Sequence, residues 1–271
     1  MDLTKDNLTE LIKKIAIPAS VGTFFQTMYN LVDSKFAGLI SPEALTAIVK
    51  SFPIYLIIIA ASVGISAGTT ALISNTLGQK DTQKASVLFA QSIIVALLIA
   101  LIITFVGIAS IKDILIILKS NHQIISYATE YMKVIFSGSI VIFLLVTINA
   151  SLVSRGDTKS YRNVLIFSFF LNIFLNPLFI YGFYLIPAMG ISGIALATIF
   201  SELIGLIYLI YKINKTEIRE YLSLECFKPK VALISDILKQ AVPSGLSMGM
   251  VGLGVFILIY LVSSYGDFSA G

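Results

Sequence analysis

The sequence has no tryptophan, one cysteine, one histidine and few charged residues. Because Cys226 is the one cysteine, an intramolecular disulfide is excluded. Because His122 is the one histidine, a Cys/His metal site is not supported either. The spacings HExxH, GxSxG, CxxC and the P-loop are also absent from the sequence, and these are the usual signatures of hydrolytic and ATP-driven chemistry. We therefore expect that the protein is not an enzyme, and that any transport it performs is driven by an ion gradient or a partner.

Charge is scarce because apolar residues take its place. Charged residues make up 13% of the chain, whereas soluble domains carry roughly 25%. Hydrophobic residues make up 57%, whereas soluble domains carry about 45–50%. Mean hydropathy is +0.93. A soluble fold of this size has no room to bury so much apolar surface, so the composition predicts a membrane protein. The net charge of +4 lies in short basic blocks between apolar runs, and no nucleic-acid partner is expected.

Six windows without charge indicate the membrane spans. A span needs about 20 apolar residues at 1.5 Å per residue. Five windows fit one helix each, but the window 163–201 would form a rod of about 58 Å and must fold back, with Gly182, Pro187 and Gly190 as breakers. The sequence thus predicts seven helices, at 12–38, 47–75, 85–110, 123–152, 161–182, 190–212 and 232–263.

The distribution of lysine and arginine predicts the orientation. Fourteen of the 19 basic residues lie at the N-terminus or in the connections after even-numbered helices, and five lie on the opposite side. Basic residues accumulate on the cytoplasmic side of membrane proteins. We therefore expect a multi-pass protein of the cell (plasma) membrane with a cytoplasmic N-terminus.

A polar stripe runs along the first helix. Gln26, Tyr29 and Asn30 share one helix face with Asp33. Polar groups are costly in hydrocarbon, so this face is expected to line a cavity or a polar helix contact. Asp33 is then either a carboxylate that binds a cation or proton, or an interfacial acid paired with Lys35.

Further polar groups lie within the fourth, fifth and sixth helices. Asn172 and Asn176 are one turn apart, and their amides suit either a hard cation or a neighbouring helix. Asn149 adds an amide near the end of the fourth helix. Glu202, one turn after Thr198, is the most deeply placed carboxylate, and it is either a proton-binding group or a structural hydrogen-bonding group.

Prolines and small residues suggest hinges and packing faces. Pro18 interrupts the first helix and is either a hinge or a static kink. Pro53 and Pro243 are interpreted as helix starts. Small residues recur every fourth position in the second and sixth helices, which is typical of close helix packing in lipid; these are Ala60, Gly64 and Gly68, and Gly193, Ala197, Ser201 and Gly205.

Five segments in order resemble the multidrug and toxic compound extrusion (MATE) exporters over nearly the whole chain. They are Pro18-Ala19-Ser20 with Tyr29–Asp33 and Ser41–Leu45, Phe52-Pro53 through Gly64–Gly68 to Leu77-Gly78-Gln79, Ser154–Lys159, Leu171-Asn172 with Asn176–Ile180, and Gly190–Thr198. The resemblance implies twelve helices in two parallel six-helix lobes. The chain would then comprise a six-helix lobe (1–215), a cytoplasmic linker (216–231) and the first helix of an incomplete second lobe (232–271). The seventh helix is expected to pack poorly against the first lobe.

The resemblance also implies a function. We expect a secondary active transporter that exports amphipathic, often cationic organic compounds in exchange for Na⁺ or H⁺ by alternating access. Its expected partners are a small organic substrate and membrane lipid, with no other cofactor, and the full-length form is expected to be a monomer. Three alternatives stay open: a lipid-linked oligosaccharide flippase of the same superfamily, which would need basic residues in its cleft, an integral membrane enzyme and an accessory membrane subunit.

The resemblance assigns roles to individual residues. Asp33 matches the family's acidic residue of the cation site, and the expected Na⁺ ligands are Asp33, Asn172 and Asn176. Gln26, Tyr29, Asn149, Asn172 and Thr198 fall at its polar neighbours, and Pro18 at a proline associated with bending. The chain departs from the family pattern where Asn176 replaces a second acid and Ser247 replaces a glutamate. Asp33 alone is expected to bind a cation weakly or to be protonated instead.

Overall fold

The computed structural model describes residues 8–263, apart from the side chains of residues 8–11 and 14. Over this range it is helical and contains no strand, only an isolated bridge between Phe183 and Ile186. A 3-10 helix, Leu224–Phe227, precedes the last α-helix. The α-helices are α1 (Leu8–Ile40), α2 (Pro42–Gly78), α3 (Thr82–Ile117), α4 (His122–Ser137), α5 (Ser139–Val153), α6 (Lys159–Tyr181), α7 (Ile191–Ile213), α8 (Glu217–Glu220) and α9 (Val231–Val262).

The predicted all-helical membrane architecture is confirmed. Within the described range, α2, α3, α6, α7 and α9 are each long and apolar enough to cross a membrane, and the bent pair α4–α5 qualifies as a sixth span. Helix α1 has 33 residues but is not among them, because its polar stripe lowers its hydropathy. The predicted 39-residue fold-back is also confirmed. Gly182 and Gly190, with φ of 75° and 55°, end α6 and begin α7.

The fourth predicted helix is not continuous. It bends by 47° at Gly138, which separates α4 from α5. A Cβ atom at Gly138 would lie 2.5 Å from the side chain of Ile199, so the bend needs glycine for the close approach of α7. Thr104 of α3 donates a hydrogen bond of 2.8 Å to the carbonyl of Phe136. This contact stabilises the bend because it provides a donor for a carbonyl next to the break.

Helices α2 and α9 do not begin at the prolines that the sequence analysis proposed. Helix α2 begins at Pro42, and Ser41 caps it by accepting a hydrogen bond of 3.1 Å from the Ala44 amide. Pro53 and Pro243 lie inside α2 and α9. The interpretation of these two prolines as helix starts was therefore wrong.

The seventh predicted helix, α9, packs closely on α2. A Cβ atom added at Gly64 would lie 2.5 Å from the Ala241 carbonyl, and one at Gly68 would lie 2.8 Å from the Ile237 carbonyl. The backbones of the two helices are thus in contact through the small-residue stripe of α2. The expectation that this helix packs poorly against the first six was wrong. Most of α9 is nevertheless exposed, with only Ile237, Ala241 and Ile259 buried.

The segment 217–230, which we call the strap, is bound to α3. Gln91, fully buried on α3, donates to the carbonyls of Cys226 at 2.7 Å and Lys228 at 2.9 Å, and its Oε1 accepts from the Lys230 amide at 2.8 Å. The hydroxyl of Ser86 donates to the Ile218 carbonyl at 2.8 Å. These bonds place the start of α9 directly against α3.

An ion pair joins the strap to the turn after α5. Arg155 contacts the carboxylate of Glu217, and this guanidinium holds the pKa of the Glu217 carboxyl below its usual range. The strap coincides with the predicted linker 216–231. The proposed division into lobes at 1–215 and 232–271 stays a prediction, and both chain ends lie outside the described residues.

Candidate functional site

The polar stripe of α1 faces a cavity. Gln26, Tyr29, Asn30 and Asp33 all contribute to the wall of a cavity of about 440 Å³. The spacing of three, four and seven residues places them on one face of α1, as the sequence predicts. A volume of this size lies within the range of small-molecule sites, roughly 300–1,000 Å³.

Asp33 connects three helices through its carboxylate. The side chain is 6% exposed. Its Oδ1 accepts a hydrogen bond of 2.9 Å from Asn176 Nδ2 of α6, and its Oδ2 accepts one of 3.0 Å from Thr198 Oγ1 of α7. Both oxygens are thus bound by protein donors, and neither contact is the pairing with Lys35 that we considered from the sequence.

Two asparagines form the outer part of this network. Asn176 Nδ2 also donates to Asn172 Oδ1 at 2.9 Å. Both residues are fully buried, and Asn176 Oδ1 and Asn172 Nδ2 have no hydrogen-bond partner among the described residues. A buried amide atom without a partner carries a free-energy cost. Two of the four polar side-chain atoms of this pair therefore lack a hydrogen-bond partner among the described residues. Rotation of the Asn176 amide would present its carbonyl oxygen to Asp33.

Glu202 lies one turn beyond Thr198 on α7 and lines the same cavity. Its Oε2 is buried and has no hydrogen-bond partner in the described part of the chain. The alternative that Glu202 is a satisfied structural hydrogen-bonding group is therefore not supported by the contacts seen. The cavity contains two acids, one with both oxygens bound and one with an oxygen unbound.

The rest of the cavity wall is aromatic and apolar. Four tyrosines line it: Tyr29 of α1, Tyr55 of α2, Tyr131 of α4 and Tyr161 of α6. Helix α9 closes one side with Val255, Leu258 and Ile259. No lysine, arginine or histidine is among the described residues that line the cavity. The site is thus a partly apolar pocket with a net negative charge when both acids are ionised.

Sequence reasoning placed one residue wrongly and missed others. Asn149 lies on α5 outside the cavity wall, and its Oδ1 makes no hydrogen bond to the described residues, so it does not join Asp33. Tyr55, Tyr131 and Tyr161 were missed. Tyr55 lies well inside the apolar helix α2, and this position was the available signal, because a tyrosine hydroxyl is costly in lipid. Tyr131 and Tyr161 lie beside charged residues, and no comparable signal marks them. Ser247, expected near a family glutamate position, is exposed on α9 and does not line the cavity.

Pro18 is buried inside α1, and the helix continues through it. It precedes Asp33 by about four turns. A proline at this point removes one backbone hydrogen bond of α1. Its role as a hinge stays a prediction.

A bundle of apolar helices around a buried polar cavity defines a class of protein, the multi-pass helical membrane proteins with an internal cavity. The MatE family model matches residues 18–178, and the chain belongs to this family, the MATE exporters. This finding confirms the resemblance derived from the sequence.

Known relatives agree with this assignment. The chain is 30% identical to the Probable multidrug resistance protein NorM of Thermotoga maritima over 263 residues, which cover 94% of the chain and 55% of that protein. It also resembles a multidrug resistance MATE family transporter solved in two conformations. The TM-score is 0.81 for the inward-facing structure, at 26% identity and covering 94% of this chain and 58% of that one. For the outward-facing structure the TM-score is 0.82 at 28% identity, and the match covers 92% of this chain and 54% of that one. The chain therefore spans a little over half the length of these relatives.

Proposed function

We propose that the chain forms the first half of a secondary active transporter that exports amphipathic, often cationic organic compounds in exchange for H⁺ or Na⁺. One observation carries the proposal: the buried carboxylate of Asp33 on α1 accepts hydrogen bonds from both α6 and α7 at the wall of a cavity. A change in the charge of this group alters the contacts among three helices at once. The multidrug resistance names of its relatives support the export direction.

The ionised and protonated forms of Asp33 require different partners. When ionised, the carboxylate accepts from Asn176 Nδ2 and Thr198 Oγ1, as in this structure. When protonated, it becomes a donor and needs an acceptor. Asn176 Oδ1, which has no partner among the described residues, provides this acceptor after rotation of the amide. Proton binding would thus exchange one contact between α1 and α6 for another.

The same residues fit a monovalent cation. Hard cations prefer oxygen ligands. Asp33, Asn172 and Asn176 would hold Na⁺ through a carboxylate and two amide carbonyls, with the Thr198 hydroxyl beside them. The unpartnered Asn176 Oδ1 is consistent with such a role. Within residues 8–263, no group of three or more His, Cys, Asp or Glu side chains is placed to hold a metal ion.

The conformational cycle we propose is alternating access in the plasma membrane, with the N-terminus in the cytoplasm and the full-length form a monomer. The chain superposes about equally well on the inward-facing and outward-facing structures of a relative. This agreement supports movement of the first half largely as one unit, with Pro18 as the candidate point of bending in α1. A flippase is not favoured, because the described cavity wall offers no basic residue for a pyrophosphate.

The test is transport by the protein expressed from its complete coding sequence and reconstituted in liposomes. Export of an organic cation is measured under a Na⁺ gradient and, separately, under a pH gradient. Asp33→Asn is expected to abolish the gradient-driven component, because its side chain carries no exchangeable charge. Thr27→Ala on the same helix is the control, since Thr27 is not among the residues that line the described cavity and its hydroxyl bonds the Thr23 carbonyl of its own helix.

The export proposal requires that wild type and Thr27→Ala respond to at least one of the two gradients. Correct folding of each variant is checked by gel filtration and thermal unfolding. Normal gradient-driven export by Asp33→Asn would show that the coupling residue lies elsewhere.

A further inference from the structure

We propose that Glu202 is the residue that selects cargo by charge, by binding the ammonium group of a protonated organic amine. This inference rests on the proposed export function and adds a division of roles between the two acids of the cavity. Asp33 responds to the coupling ion, and Glu202 binds the cargo.

The hydrogen bonds of the two carboxylates differ. Asp33 has a protein donor on each oxygen, from Asn176 and Thr198. Glu202 has a buried Oε2 with no donor among the described residues, although it lies only one turn from Thr198. A ligand that brings an N–H group can bind Glu202, once its carboxylate rotates towards the cavity, without displacing a hydrogen bond from the described residues. At Asp33 the same ligand would have to displace Asn176 or Thr198.

The charge of Glu202 also has no counterpart in the wall. No basic side chain lines the described part of the cavity. A buried carboxylate without a cation is unfavourable, because it has lost hydration without gaining a charge partner. A cationic ligand relieves this cost, whereas a neutral ligand of the same shape does not. The cavity therefore discriminates by charge as well as by size.

The tyrosines favour the same class of ligand. Tyr29, Tyr55, Tyr131 and Tyr161 share the cavity with Glu202. A cation near the face of an aromatic ring is attracted by the negative charge density of that face. The Tyr29 hydroxyl is buried and has no hydrogen-bond partner among the described residues, so it offers a second polar contact.

The apolar part of the wall determines the rest of the ligand. Val255, Leu258 and Ile259 of α9 and Phe52 of α2 face the cavity. A volume of about 440 Å³ accommodates a hydrophobic group beside the ammonium. The expected ligand is thus a protonated amine that carries an aromatic or branched apolar body.

The experiment measures binding at equilibrium, without any gradient, so that it is independent of coupling. Two fluorescent probes differ in charge only at one end: 4-(1-pyrenyl)butylamine and 4-(1-pyrenyl)butanol. Each is titrated against the protein, expressed from its complete coding sequence, in lipid nanodiscs, with empty nanodiscs as the baseline. Wild type is expected to bind the amine at least about tenfold more tightly than the alcohol, because only the amine supplies a charge partner for the Glu202 carboxylate.

Three variants separate the roles of the two acids. Glu202→Gln is expected to remove the preference for the amine and to leave binding of the alcohol unchanged. Glu202→Asp keeps the charge and is expected to retain a preference. Asp33→Asn is expected to retain the preference while it loses gradient-driven export.

Two results would overturn the proposal. One is a wild-type protein that binds the amine and the alcohol equally, which tests the inference without any substitution. The other is a preference that survives Glu202→Gln, or that disappears in Asp33→Asn alone. Neither result bears on gradient-driven export, which is measured separately in liposomes, so failure of this inference is distinguishable from failure of the proposed function.

Discussion

Gln91 is the residue whose replacement tests how the strap is held. Gln91→Leu keeps the volume of the side chain but removes the two bonds to the carbonyls of Cys226 and Lys228 and the bond from the Lys230 amide. A typical hydrogen bond contributes about 1 kcal/mol net, and a partner left buried and unsatisfied costs roughly 1–3 kcal/mol. Loss of the three bonds is therefore expected to destabilise the attachment of the strap by about 3 kcal/mol. The loss is larger if no water reaches the carbonyl and amide groups that are left without a partner.

Water limits this loss. Lys228 and Lys230 are exposed, whereas Cys226 is buried. The strap is therefore expected to detach locally and rehydrate instead of unfolding the helix bundle. We expect the local opening free energy of the strap to fall by about 2–3 kcal/mol, which corresponds to roughly 30–150-fold faster amide exchange.

Hydrogen–deuterium exchange of residues 224–230 measures this effect. Ser92→Ala is the matched control, because Ser92 is equally buried on α3 but bonds only the Leu88 carbonyl of its own helix. Exchange in α3 itself is expected to stay unchanged in both variants. If Gln91→Leu leaves exchange of the strap at the wild-type rate, Gln91 does not hold it, and the start of α9 is positioned by its packing on α2 alone.

Two further predictions concern packing and topology. Gly64→Val is expected to lower the midpoint of thermal unfolding, because the new side chain meets the backbone of Ala241, at a cost in unfolding free energy of about 1–3 kcal/mol. Gly78→Ala is the control, since the space around Gly78 is open. Equal midpoints for the two variants would contradict the close contact of α2 and α9. In a Cys226→Ser background, cysteines at positions 41 and 120 are expected to react with an impermeant reagent from outside, and those at positions 154 and 215 are not. The reverse labelling would invert the predicted orientation.

The sequence by itself determined the class of fold. Apolar windows and their length specify the membrane spans, since lipid admits few polar groups, and this local rule correctly located the ends of α6 and α7 to within two residues. The polar stripe of α1 was equally predictable, because positions three, four and seven apart on a helix share a face whatever surrounds the helix. Family resemblance came from the same local patterns.

Tertiary structure decided which groups meet. Asp33 is 143 residues from Asn176 and 165 from Thr198, and no spacing rule predicts that their side chains bond. The sequence also grouped Asn149 with them, but Asn149 does not line the described cavity. The contact of α9 with α2 depends on two glycines whose partners are backbone carbonyls, which carry no sequence signal. Glu202 was visible as an acid inside a span. Only the packing of the helices showed that one of its oxygens has no donor among the described residues, because hydrogen-bond satisfaction is a property of the assembled bundle and not of any one helix.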